Sequence, residues 1–519
     1  MPPSAIAPTT DFRKKIGWLI IICSIAKLIS ASLLELGNDE VYYWTYAIQP
    51  DWSHFDHPPM VGWLIRLFTC NLLWANDITL RLGSMVCAAI STWIIFQTGK
   101  LIANERTGWY AALIYNCSVY TGFIAGFFIL PDSPQMPFWT GALYLMSRLV
   151  MNKEDKNTGL WLLMGLLIGL ATLCKIHALY LWAGFGLFII LTKGKWLLNW
   201  RLYVSVLITL LCILPIVYWN VINDFITYRY HSDRVTHTTI QWDMLWREII
   251  GEFGYQNPVI FSLVFLSLIA WLRKQLQFNR KDIATWIFCM SLPMIILFWG
   301  ISLFNPTLPH WSGPAYIPLF FLAAVYLEKF SVRYIPGFIK VAASLLIIVL
   351  IVGIGLVNLS PVNFGSHEKE NYGEYCPTLD ISGWQKFSEN FAVLVKSDSE
   401  NRLMKPHSPI LINKWFPGGH LEFYTARQSG LSVLGIGNLD DLHKFAWLNK
   451  ERKGLQLGDD AYCIVPSNLP IEVADIYGQY FTTIEEPIVI NQKRNGGVVR
   501  YFYVYRLRQC KLIPVAVLK

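Results

Sequence analysis

The chain has 519 residues, with 43 Lys and Arg against 35 Asp and Glu and a net charge of +8. Hydrophobic residues make up 54% of it and charged residues only 15%, where soluble domains carry about 25% charged. A soluble fold would lack the charge to cover its surface. The mean hydropathy of +0.39 excludes disorder, and no basic block interleaved with aromatics marks a nucleic-acid binder. This is the composition of a polytopic membrane protein.

Runs of about 17–25 apolar residues can cross the hydrocarbon core. Eleven spans are predicted, over 16–36, 79–101, 109–130, 134–152, 159–173, 177–192, 202–219, 256–272, 283–304, 311–327 and 337–358. The run 60–75 is apolar but short and carries Arg66; it predicts a helix lying in the interface. Lys and Arg bias sets orientation. With the N-terminus inside, the inner loops hold eighteen of these residues and the outer loops five, namely Arg66, Lys175, Arg229, Arg234 and Arg247. An N-in, C-out arrangement is expected. No small-residue cleavage site follows the first span, so it is read as a retained anchor. Residues 1–360 form the expected membrane domain. After Ser360 the chain turns polar, and the short alternating runs 461–465, 487–490 and 498–505 predict strands. Residues 418–427 and 439–449 look helical or loop-like. A small α/β domain over 361–519 is expected on the outer face. The ten cysteines contain no CxxC pair, and the spacing of Cys376, Cys463 and Cys510 demands no disulfide.

This topology sorts the chemistry to one side. All ten histidines fall in outer loops, span ends or the tail, and the spans are nearly clean of charge, Lys27 being the main exception. The first outer loop places Asp39 and Glu40 just before the aromatic run Tyr42, Tyr43 and Trp44. The pair reads either as a general base with a supporting carboxylate or as solvated acids at a helix end. His54 precedes Asp56, His57, Pro58 and Pro59; Asp56 and His57 could bind a metal or a phosphate, or make a plain loop contact. Asp132 lies in a Pro-bounded turn, where it could also cap the following helix. Lys175 and His177 occupy a short outer turn, a cation placed either for an anionic partner or as a snorkelling chain. The longest outer loop carries Arg229, His231 and Arg234, where the guanidinium fork suits phosphate or the loop simply faces solvent or headgroups. His310 opens the tenth span and could approach the same pocket.

Taken in order, Asp39-Glu40 with YYW, DHPP at 56–59, LPDSP at 130–134, CKIHA at 174–178, WN at 219–220 with TYRYH, and PHWSGPAY at 309–316 resemble one branch of the GT-C glycosyltransferases. That branch holds the protein O-mannosyltransferases and lipid A aminoarabinose transferases. The chain looks most like the bacterial dolichyl-phosphate-mannose-protein mannosyltransferase-like members. The likeness covers about residues 35–330 and weakens in the tail, where GWQKF at 383–387 and HLEFYTAR at 420–427 look familiar. The resemblance implies about 11 transmembrane helices plus an extracytoplasmic α/β domain in a bacterial inner membrane. It also implies a polyprenyl-phosphate-sugar donor, a glycolipid, protein or polysaccharide hydroxyl acceptor, and inversion at the anomeric carbon. Asp39 then matches the catalytic acid, Glu40 its neighbour and Asp132 the second acidic position. Asp56 and His57 fall where the aminoarabinose transferases have a Glu-Lys pair, the acid near a divalent metal and the Lys on donor phosphate. His57 in place of Lys departs from that pattern.

The expected site is Asp39, Glu40 and Asp132 for catalysis, with Lys175, Arg229, Arg234 and His57 on the donor phosphate. Asp56 and His57 are the pair for any divalent metal, and His54, His177, His231, His310, Tyr42 and Tyr43 complete the pocket. A transporter or lipid flippase is the alternative, and it would place paired polar groups deep in the spans. An inert scaffold whose outer domain binds a ligand would not need these acids on one side.

Overall fold

The computed structural model describes residues 11–152, 156–233, 239–278, 280–331 and 333–518. Each of the eleven predicted spans falls on helix. Among the described residues, five helices are by themselves long and apolar enough to cross a membrane: Phe12–Leu33, Asp77–Ile102, Trp200–Ile222, Lys281–Ser302 and Gly337–Leu359. Trp242–Tyr255 and Pro258–Leu272 form a pair bent by 102° at its break. The others are shorter or interrupted. The span expected over 109–130 breaks after Glu105–Cys117, because Ser118 turns extended (ψ 132°) and a π-turn, Tyr120–Ile124, follows. Thr121 Oγ1 there donates to the Tyr115 carbonyl, and Gly122 lies so close to the Asn116 carbonyl that a Cβ would sit 2.3 Å from it.

The chain divides into two compact units, one of residues 1–29 and 81–348, the other of residues 30–80 and 349–519. The loop after the first span, placed above with the membrane domain, thus folds with the tail.

In the first unit, Thr158–Cys174 and Trp200–Ile222 approach closely at two glycines. A Cβ on Gly165 would lie 2.2 Å from the Ser205 carbonyl oxygen, and one on Gly169 would lie 2.6 Å from Cys212 Cβ. The close approach lets Thr209 Oγ1 donate to the Gly165 carbonyl at 2.7 Å and Ser205 Oγ to the Trp161 carbonyl at 2.5 Å. Lipid supplies no hydrophobic drive between helices, so small residues and such hydrogen bonds hold them together.

The second unit is built on a six-stranded sheet: β1 (Ile410–Ile412), β2 (Val433–Gly435), β3 (Ala461–Pro466), β4 (Phe481–Ile484), β5 (Ile488–Arg494) and β6 (Gly497–Cys510). β1 lies parallel between β2 and β3. β3 pairs antiparallel with β6, from Ala461 opposite Leu507 to Pro466 opposite Phe502. β4 and β5 pair with successive stretches of β6. Three of these strands are the alternating runs read from the sequence. Trp384–Glu400 packs its Trp384, Phe387 and Phe391 inward. Against the tail sits the segment after the first span, with Asn38–Ile48 packed on Met60–Phe68 through Gly62, where a Cβ would meet Tyr46 Cβ at 2.7 Å. Met60–Phe68 has nine residues, too short to span, as expected for the run 60–75. All ten cysteines are free thiols.

Gly165→Leu should destabilise the first unit by about 1–3 kcal/mol through overpacking, read as a lower melting temperature in detergent. Gly186→Leu, at a glycine with open space around it, should leave the melt unchanged.

Candidate functional site

In the second unit, Glu35 to Glu40 turn the chain out of the first helix into Asn38–Ile48. Glu40 is buried, and its carboxylate accepts the Gly37 N–H at 2.9 Å, closing the start of the helix as a capping box. Asp39, one residue earlier, is exposed in the first turn, where the helix dipole favours its ionised form. Asn38 anchors the turn to the tail. Its amide donates to Asp380 at 2.9 Å, and its carbonyl oxygen accepts from His420 Nε2 at 2.9 Å. His420 stacks flat on Trp384 with ring centroids 4.2 Å apart. Burial, with the Arg500 charge nearby, pushes its imidazole well below the usual value of 6.5, so it is neutral. A Cβ on Gly419 would lie 2.9 Å from Val41 Cγ2 and 3.2 Å from the Tyr42 nitrogen; only glycine lets the tail approach this helix so closely.

The aromatic run faces the next motif. Tyr42 OH donates to Asp56 Oδ1 at 2.7 Å, and Tyr46 OH donates to the same oxygen. Burial would raise the Asp56 carboxyl, but the imidazoles of His57 and His443 and the two hydroxyls outweigh it and hold it below its usual value. Tyr43 packs on His57 with ring centroids 5.8 Å apart, and the buried His54 lies against Tyr46 at 3.7 Å. Among the described residues, no three His, Cys, Asp or Glu side chains gather as metal ligands. Asp56 and His57 alone do not make a cage for a metal ion.

In the first unit the second acid is built the same way. The turn before Asp132–Asn152 is closed by Ser133, whose hydroxyl accepts from Leu130 N–H and donates to the Phe128 carbonyl. Asp132, 2% exposed, takes the Lys175 ammonium on both oxygens at 3.1 and 3.0 Å and the Tyr120 hydroxyl at 2.8 Å. Burial would raise this carboxyl as well. Lys175 and the imidazoles of His310 and His177, with Tyr120, hold it well below the usual carboxylate range instead. Lys175 can reach it because the chain turns extended there (φ −157°, ψ 126°) between two helices. Gly313, in the PHWSG motif, seats the Tyr120 ring, whose atoms a Cβ would meet at 2.6 Å.

The structure therefore joins Asp132, Lys175, His177 and His310, and separately Tyr42, Tyr43, Asp56 and His57. Lys175, expected on donor phosphate, directs its ammonium at Asp132, because a buried carboxylate needs a charge partner. Arg229 and His231 sit exposed on Ile226–Asp233, with Arg229 Nη2 donating to the Asp224 carbonyl. Arg234 lies outside the described residues.

The sequence reading missed Glu248 and Glu252, one turn apart on Trp242–Tyr255. Both are buried, at 1% and 0% exposure. Glu252 accepts from Trp299 Nε1 at 2.8 Å, from Tyr316 OH at 2.8 Å and from Ser312 Oγ. Glu248 accepts from Thr307 Oγ1 at 2.7 Å. They clamp the segment 307–316 that presents His310 to Asp132. Two acids four residues apart, on one face of a helix rich in apolar and aromatic residues, were the available signal.

The family profile described as dolichyl-phosphate-mannose-protein mannosyltransferase matches residues 56–219. The lipid A galacturonosyltransferase RgtD of Rhizobium johnstonii is 24% identical over 284 residues, which is 54% of this chain and 58% of that relative; the match thus spans little more than half of either protein. The crystal structure of ArnT from Cupriavidus metallidurans bound to undecaprenyl phosphate superposes with a TM-score of 0.60 at 14% identity, over 94% of this chain and 98% of that one. Its apo form gives 0.57 at 12% identity, with the same coverage. The chain has the ArnT fold: a polytopic, mostly helical integral membrane protein with a C-terminal sheet domain, of the GT-C type. These matches bear out the resemblance drawn from the ordered motifs.

Replacing Lys175 by Met should cost about 3–5 kcal/mol, the penalty for stranding a buried carboxylate. The double variant with Asp132→Asn should recover most of it, and thermal melts of the four proteins check the cycle. His420 gives a pH dependence. Its folded value is depressed, so below pH 6.5 the unfolded chain binds the extra proton first and stability falls as pH drops, with no change above. Melting temperature should decline from pH 7 to 5, less steeply in His420→Gln.

Proposed function

We propose that this protein is an integral-membrane glycosyltransferase that moves a sugar from a polyprenyl-phosphate donor to a hydroxyl of a glycolipid acceptor on the outer face, with inversion. The observation that carries the reading is the division of labour at residues 39 and 40. Glu40 is committed to the helix cap, and Asp39 beside it is exposed at a helix start that the tail holds rigidly. The shared fold with ArnT, crystallised with undecaprenyl phosphate, supports the donor class. The lipid A galacturonosyltransferase relative supports the acceptor class.

In this reading Asp39 takes the acceptor hydroxyl proton as the oxygen attacks the anomeric carbon. A new glycosidic bond forms as the bond to phosphate breaks, and its electron pair leaves with polyprenyl phosphate. That leaving group is already acidic, so cations suffice to stabilise it. His57 and Arg229 are proposed for this role, with Arg234, while Lys175 acts through Asp132 to fix the loop beside it. Asp132, ionised and ion-paired, is a weak base and a positioning residue. Positive charge on the predicted inner loops supports a bacterial inner membrane with the N-terminus in the cytoplasm and the tail in the periplasm.

The test is transfer of radiolabelled sugar from a panel of polyprenyl-phosphate sugars in membranes carrying wild type or Asp39→Asn. Label should enter a lipid acceptor fraction with wild type and fall by about 100- to 10,000-fold in the variant. Equal transfer by both proteins removes Asp39 as the base, and donor left unconsumed by wild type removes the enzyme reading.

A further inference from the structure

Two arginines in the tail are buried without an acid partner. Arg500 is 0% and Arg494 5% exposed, yet among the described residues neither forms an ion pair with a carboxylate. Their hydrogen bonds go to neutral oxygens. Arg494 donates to Thr378 Oγ1 at 2.9 Å, to the Thr378 carbonyl at 2.8 Å and to Ser382 Oγ. Arg500 donates to Gln492 Oε1 at 2.9 Å and to the carbonyls of Leu379 at 3.1 Å and Ser382 at 2.8 Å, while its guanidinium lies over the Trp384 ring. Buried charges are ordinarily paired. Glu35 acts electrostatically on both arginines and Asp380 on Arg500, without closing an ion pair with either. Glu35 also has both oxygens engaged, accepting the backbone N–H groups of Trp384 at 2.8 Å and Gln385 at 3.2 Å.

A cavity of about 230 Å³ opens beside these groups, with Arg494, Lys386 and Lys493 in its wall against the single carboxylate of Glu35. Lys386 and Lys493 stand exposed at its edge. Lys386 makes only a surface pair with Glu389 at 2.8 Å, a contact of small worth. The rest of the rim fixes the depth. Leu33 ends one candidate membrane span, and Asn358 lies one residue from the end of another. The two ends are tied together, since Asn358 Nδ2 donates to the Leu33 carbonyl at 3.0 Å. Just around them Leu359, Val362 and Phe364 are more than half exposed. Apolar surface on one side and cations on the other mark the level where hydrocarbon gives way to headgroups.

We infer that this cavity binds the phosphate of an anionic lipid headgroup, whose charge compensates Arg494 and Arg500 and is gathered by Lys386 and Lys493. The inference rests on the membrane placement of the chain and not on the transfer reaction. The phosphate could be carried by bulk phospholipid or by a phosphorylated glycolipid acceptor, and the two sources share this chemistry.

The test uses the full chain, delipidated in detergent, with native mass spectrometry to measure dissociation constants. Dioctanoyl phosphatidic acid should bind the wild type, and Lys386→Gln/Lys493→Gln, two surface changes, should weaken it about tenfold with no loss of melting temperature. Dioctanoylglycerol, which lacks the phosphate, should bind both proteins equally weakly. Adding phosphorylated lipid A as competitor separates the sources. Displacement at concentrations well below those of competing phosphatidylglycerol identifies the glycolipid, and equal displacement by both identifies bulk lipid. The inference is overturned if phosphatidic acid binds no better than dioctanoylglycerol, if the double variant binds it as well as wild type does, or if inorganic phosphate displaces it at equal concentration.

Discussion

A helix of eleven residues does not hold itself in water, and Asn38–Ile48, which carries Asp39, is that short. Its order comes from what grips it. Glu40 closes its first turn from within, Gly62 seats one neighbouring helix, and the tail supplies the rest through His420, Asp380 and the bare backbone of Gly419. The tail is gripped in return: Glu35 accepts the first two backbone N–H groups of Trp384–Glu400. The polar turn and the sheet domain are therefore one structure, and a carboxylate placed on a loop behaves as if it were placed on a scaffold.

The first unit meets a harsher solvent with the same means. Acids are buried there among hydrogen-bond donors from distant parts of the chain. Asp132 has an ammonium and a phenol, and Glu252 has an indole, a phenol and a hydroxyl. Both acids sit at breaks or turns of the apolar helices, where the backbone leaves room for side chains to converge. The long helices between them are held by other contacts, glycine against backbone and hydroxyl to carbonyl.

Much of this was legible in the sequence because the membrane makes its demands in one dimension. Each of the eleven hydrophobic runs falls on helix, and alternation located β3, β5 and β6. What escaped was set by backbone choices inside apolar runs or by partners far along the chain. The break at Ser118 depends on a local backbone choice inside an apolar run, which hydropathy does not see. The attachment of residues 30–80 to the tail rests on glycines and a histidine hundreds of positions away. Lys175 was noticed as an odd cation in an outer turn, but its partner Asp132 is 43 residues distant, and charge alone did not choose between a lipid phosphate and a carboxylate. Glu248 and Glu252 were passed over because an acid on a helix usually faces water, and only the packed Trp299 and Tyr316 show that these do not.

The second unit is sewn from two pieces separated by nearly the whole membrane region, residues 30–80 and 349–519. At about 5–20 residues per second of synthesis, the turn bearing Asp39 leaves the ribosome roughly 15–60 s before the first tail residues that complete its unit, and longer still before β6. For that interval Asn38 has no His420, and the short helix has no floor. Insertion of the intervening helices and the birth of an ordered candidate site are thus separated in time, and the site can order only in chains translated past Gly419 and His420.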